Sequence, residues 1–138
     1  MIGLGLSKRF MKDHPRDGES TFFGASFLEG SKIHTLRRNP NGRYVDGMEV
    51  QVYQWSGAAY RSKWEVLGVR RIGVVPVKLY SHNDTARVYG GGVPRVVPFA
   101  EVAANDGLRV ADFRSWFFDP KWSVVWIGSV VHFTDFRY

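Results

Sequence analysis

Gly30-Ser31-Lys32-Ile33-His34-Thr35-Leu36-Arg37 sets a lysine, a histidine, a threonine and an arginine within six residues. Three of these side chains can carry positive charge, and the fourth carries a hydroxyl. Arg38 extends the run, and no acid follows Ser31 until Asp46. The segment before it, Thr21 to Glu29, holds Phe23 and Phe27 four apart, on one face of a helix. Thr21 stands where an N-cap belongs, and Gly30 where a left-handed C-cap residue belongs. The pattern predicts a short helix that delivers the chain directly into Lys32. The cationic stretch after it reads as the floor of a site for something anionic, or polar and planar.

Outward from this stretch the chain is mostly strand. Ile2, Leu4 and Leu6 alternate with Gly3, Gly5 and Ser7, a period of two. Residues 8–20 show no period and read as loop. Asn39-Pro40-Asn41-Gly42 and Asp46-Gly47 mark turns, and Met48 to Trp55 alternates again. Trp64 to Tyr80 is long, apolar and β-branched, broken by Gly68, Gly73 and Pro76, so it is one bent strand or two successive ones. Arg87 to Tyr89 reads as a short strand, and Gly90-Gly91-Gly92 as a flexible corner without the lysine of a phosphate loop. Pro98 to Ala104 predicts one helical turn with Pro98 at its start. Val110, Phe113, Trp116 and Phe117 predict an amphipathic helix over Arg109–Phe118, ending at Asp119-Pro120. Val124 to Phe133 is apolar on both faces, as in a central strand. The expectation is an α+β, mostly β domain, small and curved, with short helices flanking its openings.

A length of 138 residues fits one domain, residues 1–138, able to bury roughly 68–70% of its unfolded surface. Cysteine is absent, which excludes disulfides and cysteine metal sites and fits a reducing, cytoplasmic compartment. No apolar run spans a bilayer, and the apolar start is too short for a signal peptide, so no membrane role is expected. Net charge is +6, concentrated in two blocks. Residues 30–45 carry four bases and no acid, and residues 61–95 carry seven bases against Glu65 and Asp84. Such blocks suit a phosphate-bearing partner. The spacing of His14, His34, His82 and His132 matches no ligand motif, so neither metal nor cofactor is expected.

The motif Gly30-x-Lys32-x-x-Thr35-x-Arg37 resembles the ASCH domains of the PUA-like superfamily. It is preceded by the Thr21-Phe22-Phe23 helix and followed by the Gly47-Met48-x-Val50 strand. Asn105-Asp106-Gly107-Leu108 before a helix containing Asp112-Phe113 is similar to that family too. The ending from Val131 to Tyr138 looks like a small, phage- or prophage-borne subgroup. The resemblance implies a small PUA-like β-barrel with a cleft, and partners among RNA and modified nucleosides. One branch of the family hydrolyses the acetyl amide of N4-acetylcytidine with a lysine, a threonine and a carboxylate. Other members are described as binding or cleaving RNA. By the family motif, Lys32 and Thr35 fall on the lysine and threonine positions. Asp106 falls where the hydrolases have a glutamate one methylene longer.

Three functions are open on these residues. The first is binding of RNA or a nucleotide, with recognition of a modified nucleobase and its phosphate. Lys32, Arg37, Arg38 and Arg43 would form one bank of cations, and Arg61, Lys63, Arg70 and Arg71 a second. Tyr44, Trp55, Tyr60 and Trp64 are candidates for stacking, Tyr60 foremost because it lies in a loop among bases. The expected contacts with ligand are Ser31, His34, Arg37, Arg38, Tyr60, Arg61, Lys63 and Arg70. The second function is amide hydrolysis on an acylated cytidine. There a desolvated Lys32 takes the proton of Thr35, which attacks the carbonyl, and Asp106 orients the lysine or serves the leaving amine. Arg37 or backbone N–H groups would stabilise the oxyanion. A regular strand sends Lys32 and Thr35 to opposite faces, so this chemistry needs a bend between them. The third function is that of a phage-type inhibitor or adaptor binding a protein partner.

Overall fold

The computed structural model describes residues 1–118 and 124–138. In chain order the elements are β1 (Ile2–Gly5), α1 (Phe23–Glu29), β2 (His34–Arg37), β3 (Glu49–Trp55), β4 (Trp64–Arg71), β5 (Gly73–Tyr80), β6 (Thr85–Val88), β7 (Arg95–Pro98), α2 (Phe99–Asn105), α3 (Val110–Phe117) and β8 (Val125–His132). Strands dominate and the helices are short, so the α+β, mostly β expectation holds.

The alternation at the start of the chain builds one sheet, in the order β1-β3-β4. β1 runs parallel to β3, with Leu4 opposite Val52, and both residues are fully buried. Gly3 and Gly5 occupy the other face for a steric reason. The rings of Tyr53 and Trp64 stack at 3.8 Å and 9°, and both come close to the bare backbone of β1. A Cβ on Gly5 would stand 3.0 Å from the Tyr53 ring, and one on Gly3 2.9 Å from it. Any larger residue would lift that pair from the sheet.

The second sheet has the order β2-β8-β5-β6-β7 and is antiparallel throughout. The apolar run Trp64–Tyr80 proves to be two strands. The break falls at Ile72, which is buried and carries the chain from one sheet into the other, rather than at Gly68 or Pro76. Among the described residues no strand pairing joins the two sheets. β8 lies between β2 and β5, as a central strand should, but its continuous buried run covers only Ser129 to Phe133. Val125 and Ile127 are exposed, while Trp126 between them packs on Phe117. β7 escapes sequence reading because it is four residues long and bounded by Pro94 and Pro98.

α1 begins one residue later than its capping signal implies. Its N-cap is Phe22, at φ 58°, with no side-chain cap. Thr21 still accepts the Phe23 N–H at 3.3 Å and donates to the Ser7 carbonyl at 2.6 Å, which ties the helix start to the end of β1. Phe23 and Phe27 are buried as their spacing requires, and Gly30 takes the left-handed C-cap at φ 90°. Pro98 is the N-cap of α2 rather than its first helical residue. α3 packs on α2 through Phe113 and Phe99, whose centroids are 5.2 Å apart. The expected helix end at Asp119-Pro120 lies outside the described residues. No described helix is long and apolar enough to cross a membrane.

Candidate functional site

Two cavities meet at Arg37. The inner one, of about 220 Å³, is lined by Lys32, Thr35, Leu36 and Arg37 together with Asp106, and is walled by Phe23, Trp116 and Phe117. The outer one is an open groove of about 720 Å³ on the Gly3–Gly5 face of the first sheet. Leu6, Ser7 and Arg37 line both.

Lys32 enters the inner cavity because the chain is not yet a strand there. Its N–H still bonds the Ser26 carbonyl at the end of α1, and β2 starts only at His34. The side chain is 2% exposed at the residue level, and its Nζ donates to both the carbonyl and Oδ1 of Asp106, at 2.7 and 3.0 Å. The ammonium also lies 4.1 Å from the centroid of the Phe23 ring. Burial pulls Lys32 below the usual lysine range and the nearby Arg37 adds to this, while the charge and hydrogen bond of Asp106 oppose it. Asp106 is held by the end of α2, and Gly107 at φ 82° lets the chain turn against the Lys32 stem.

Thr35 reaches the same cavity by a different route. Phe133 donates to the Ile33 carbonyl, so in an antiparallel ladder residues 33, 35 and 37 bond toward β8 while His34 and Leu36 turn their backbone outward. β2 is an edge strand, so the N–H and C=O of Leu36, which lines the cavity, have no strand partner among the described residues. Strand alternation sends Thr35 and Arg37 to one face and His34 to the other. His34 Nδ1 is 3.5 Å from the Asp106 carboxylate that Lys32 holds, so Lys32 and His34 share Asp106 while Thr35 lies across the strand. The Thr35 hydroxyl makes no hydrogen bond with a described residue, and it is not among the sealed unpartnered atoms. The structure thus joins Lys32 to Asp106 and brings Thr35 to the same cavity without a hydrogen bond to either.

Behind β2 the network continues. Asn105 Nδ2 donates to the Tyr138 hydroxyl at 3.1 Å, and that hydroxyl is hydrogen-bonded to His34 Nε2 at 2.6 Å. His34 Nδ1 is buried 3.5 Å from the Asp106 carboxylate, with no hydrogen-bond partner among the described residues. Burial pushes the Tyr138 phenol well above its ordinary value, against the hydrogen bond from Asn105, so it stays protonated. His132, opposite His34 in the ladder, is fully buried with neither ring nitrogen partnered. Burial, with repulsion from His34 and Arg137, lowers it to about 3, Asp46 opposing, and it is neutral.

The outer groove is built from cations and rings. Lys8, Arg9, Arg37 and Arg43 line it, and no acid does. Among the described residues none of these four is in an ion pair; each gives an N–H to a carbonyl, of Ser56, Gly18, Gly5 and Gly3 respectively. Burial lowers the Arg37 guanidinium, against the attraction of Tyr44 and Asp106, but an arginine lies so far above neutrality that it stays charged. Tyr53, Trp55 and Tyr60 supply the aromatic surface, with Trp64 stacked beneath Tyr53. Tyr60 is 89% exposed and tilts over Trp55 at 5.2 Å.

The other expected ligand contacts lie elsewhere. Ser31 is spent on the Ser26 carbonyl and Glu29, closing the end of α1. Arg38 is exposed over Trp126, and Arg61 and Lys63 are exposed but do not line the groove. Arg70 folds over Phe27 at 4.7 Å, and Arg71 pairs with Glu49 at 3.0 Å, and neither lines the groove. Lys8, Arg9 and Tyr53 were not expected. Their signal was present: two bases directly follow the first strand, and glycines alternate where rings come close to the backbone. Among the described residues no cluster of His, Cys, Asp or Glu is arranged to hold a metal ion. Comparison of the chain with protein-family models, with curated proteins and with solved structures finds no match.

Proposed function

We propose that the chain binds single-stranded RNA or a nucleotide in the outer groove and admits a modified nucleobase to the inner cavity, in the manner of a PUA-like, ASCH-type barrel. The observation that carries this reading is the groove itself, with four cations, no acid and a stacked aromatic floor. Unpaired cations keep their charge for phosphates, and rings accept bases of any identity. The inner cavity, at about 220 Å³, falls below the usual 300–1,000 Å³ of ligand pockets, so it suits one ring rather than a whole nucleotide. The N–H and C=O of Leu36, without a strand partner, would meet the polar edge of such a ring. Binding of a short RNA measured across salt tests this. Four phosphate contacts on a single strand predict a log–log slope of roughly −2.8. A flat slope would assign the chain to a protein partner or a neutral ligand instead.

A second reading, amide hydrolysis, is favoured by the buried Lys32–Asp106 pair, which lines the same cavity as Thr35, a threonine whose hydroxyl has no partner among the described residues. In it Thr35 Oγ attacks the acyl carbonyl of an N-acylated cytidine, and its proton passes to a neutral Lys32 Nζ and on to the leaving amine. Water then cleaves the threonyl ester to a carboxylic acid. The step requires the Thr35 hydroxyl to turn through the edge of β2 toward Lys32. Incubation with N4-acylated cytidines decides it: release of cytidine that is lost in Thr35→Val supports hydrolysis, and no turnover with any acyl group leaves binding alone.

A further inference from the structure

Three non-glycine residues among those described hold a positive φ: Phe22 at 58°, Tyr60 at 63° and Asp84 at 52°. An aspartate enters this region readily, because its short polar side chain bonds locally, whereas a bulky aromatic is a true outlier there. Both strained aromatics are also exposed, Phe22 at 67% and Tyr60 at 89%. Packing does not account for Phe22. Its neighbour Phe23 fills the core, while Phe22 meets no other described ring. Strain held at an exposed ring points to use at a surface.

The two rings bracket one pair of cations. Tyr60 lines the outer groove, and Phe22 lines an adjoining cavity of about 250 Å³. Lys8 and Arg9 line both, and no acid lines either. Close packing fixes Phe22 on this side of the molecule: a Cβ on Gly24 would stand 2.6 Å from Gln54 Oε1, so α1 lies directly against β3. The carbonyl bonds of Lys8 and Arg9 orient these side chains and leave further N–H donors free.

We propose that Phe22 is a second stacking platform. On this proposal, which rests on the groove reading above, the ligand is a single strand long enough to run from Tyr60 across Lys8 and Arg9 to Phe22. One base stacks on each ring, and the intervening phosphates lie on the two cations. Duplexes are excluded because both rings need unpaired bases.

The test measures affinity for uridine monophosphate and for oligouridylates of two, four and eight nucleotides, with melting temperatures, in wild type, Phe22→Gly and Tyr60→Gly. Glycine is at ease at positive φ, so both variants should melt no lower than wild type. Wild-type affinity should climb with length until a strand reaches both rings. Phe22→Gly should lose roughly tenfold on the octamer and nothing on the monophosphate, and Tyr60→Gly should weaken both. An octamer bound by Phe22→Gly as by wild type, with Tyr60→Gly impaired, overturns the second platform and leaves the groove standing. Affinity independent of length overturns it as well, and a fall in the melting temperature of Phe22→Gly assigns the ring to packing. No binding of any length by wild type overturns both.

Discussion

The inner cavity and the outer groove share Arg37 as a wall but treat positive charge in opposite ways. Inside, Lys32 is buried, pinned by two bonds to Asp106 and capped by Phe23. Outside, Lys8, Arg9 and Arg43 are anchored only to carbonyls and line a groove without an acid among the described residues, with the half-buried Arg37 at the wall the two cavities share. A charge that is buried and paired serves the fold and local chemistry, whereas an unpaired charge over open solvent is held for a partner. The same residue types, at Lys32 inside and at Lys8 and Arg43 outside, are sorted by what surrounds them.

The largest effect that would break this contrast is on stability. Asp106→Ala leaves a buried ammonium without its partner and should cost about 3–5 kcal/mol in urea unfolding. Lys32→Met, which removes the charge but keeps the stem, should cost less. Arg43→Ala in the groove should stay within about 0.5 kcal/mol of wild type. Equal losses for Asp106→Ala and Arg43→Ala would erase the distinction.

A second effect sharpens it behind β2, where His132 sits sealed and neutral. As pH falls below about 6.5 the unfolded chain protonates this imidazole, and the folded chain does so only near about 3. The unfolded state therefore binds more protons in that window. Stability present at neutral pH should decline there by up to about 1.4 kcal/mol per pH unit from this group alone. Urea midpoints at pH 7, 5.5 and 4 should show this decline, and His132→Phe should flatten it. An unchanged slope in His132→Phe would show that burial does not hold this ring neutral.

Smaller still is the effect of the groove floor. Gly5→Ala puts a methyl group 3.0 Å from the Tyr53 ring, a contact relieved by a shift of a few tenths of an ångström. RNA affinity should fall by about two- to fivefold with little change in melting temperature, as expected of a stacking surface tilted rather than removed. Full affinity in Gly5→Ala would detach the Tyr53–Trp64 pair from the site.

Much of the fold was legible because it depends on local pattern. The period of two in Ile2–Leu6 and Met48–Trp55, the Phe23/Phe27 pair and the Gly30 cap all reappear as strands, a buried helical face and a left-handed turn. Ile72 was not legible as the crossing between sheets, because its role depends on where β8 lies rather than on its neighbours in sequence. The site was half legible. Lys32 and Asp106 are 74 positions apart, and only the motif resemblance linked them; their bonds came with the structure. Arg70 and Arg71 looked like ligand cations, but Phe27 and Glu49 absorb them, since charge in a sequence does not reveal its partner. Lys8 and Arg9 were passed over because a loop without period offers no direction for its side chains. Phe22 was invisible because backbone strain leaves no mark on composition.

The central claim is that unpaired cations in the outer groove bind a phosphate-bearing strand. Its most direct test is the salt dependence of octauridylate binding in wild type, Arg43→Ala and Arg71→Ala. The account predicts a wild-type log–log slope of roughly −2.8, a slope shallower by about 0.7 in Arg43→Ala, and no change in Arg71→Ala, whose charge Glu49 already engages. A flat wild-type slope, or equal changes in the two variants, would contradict it.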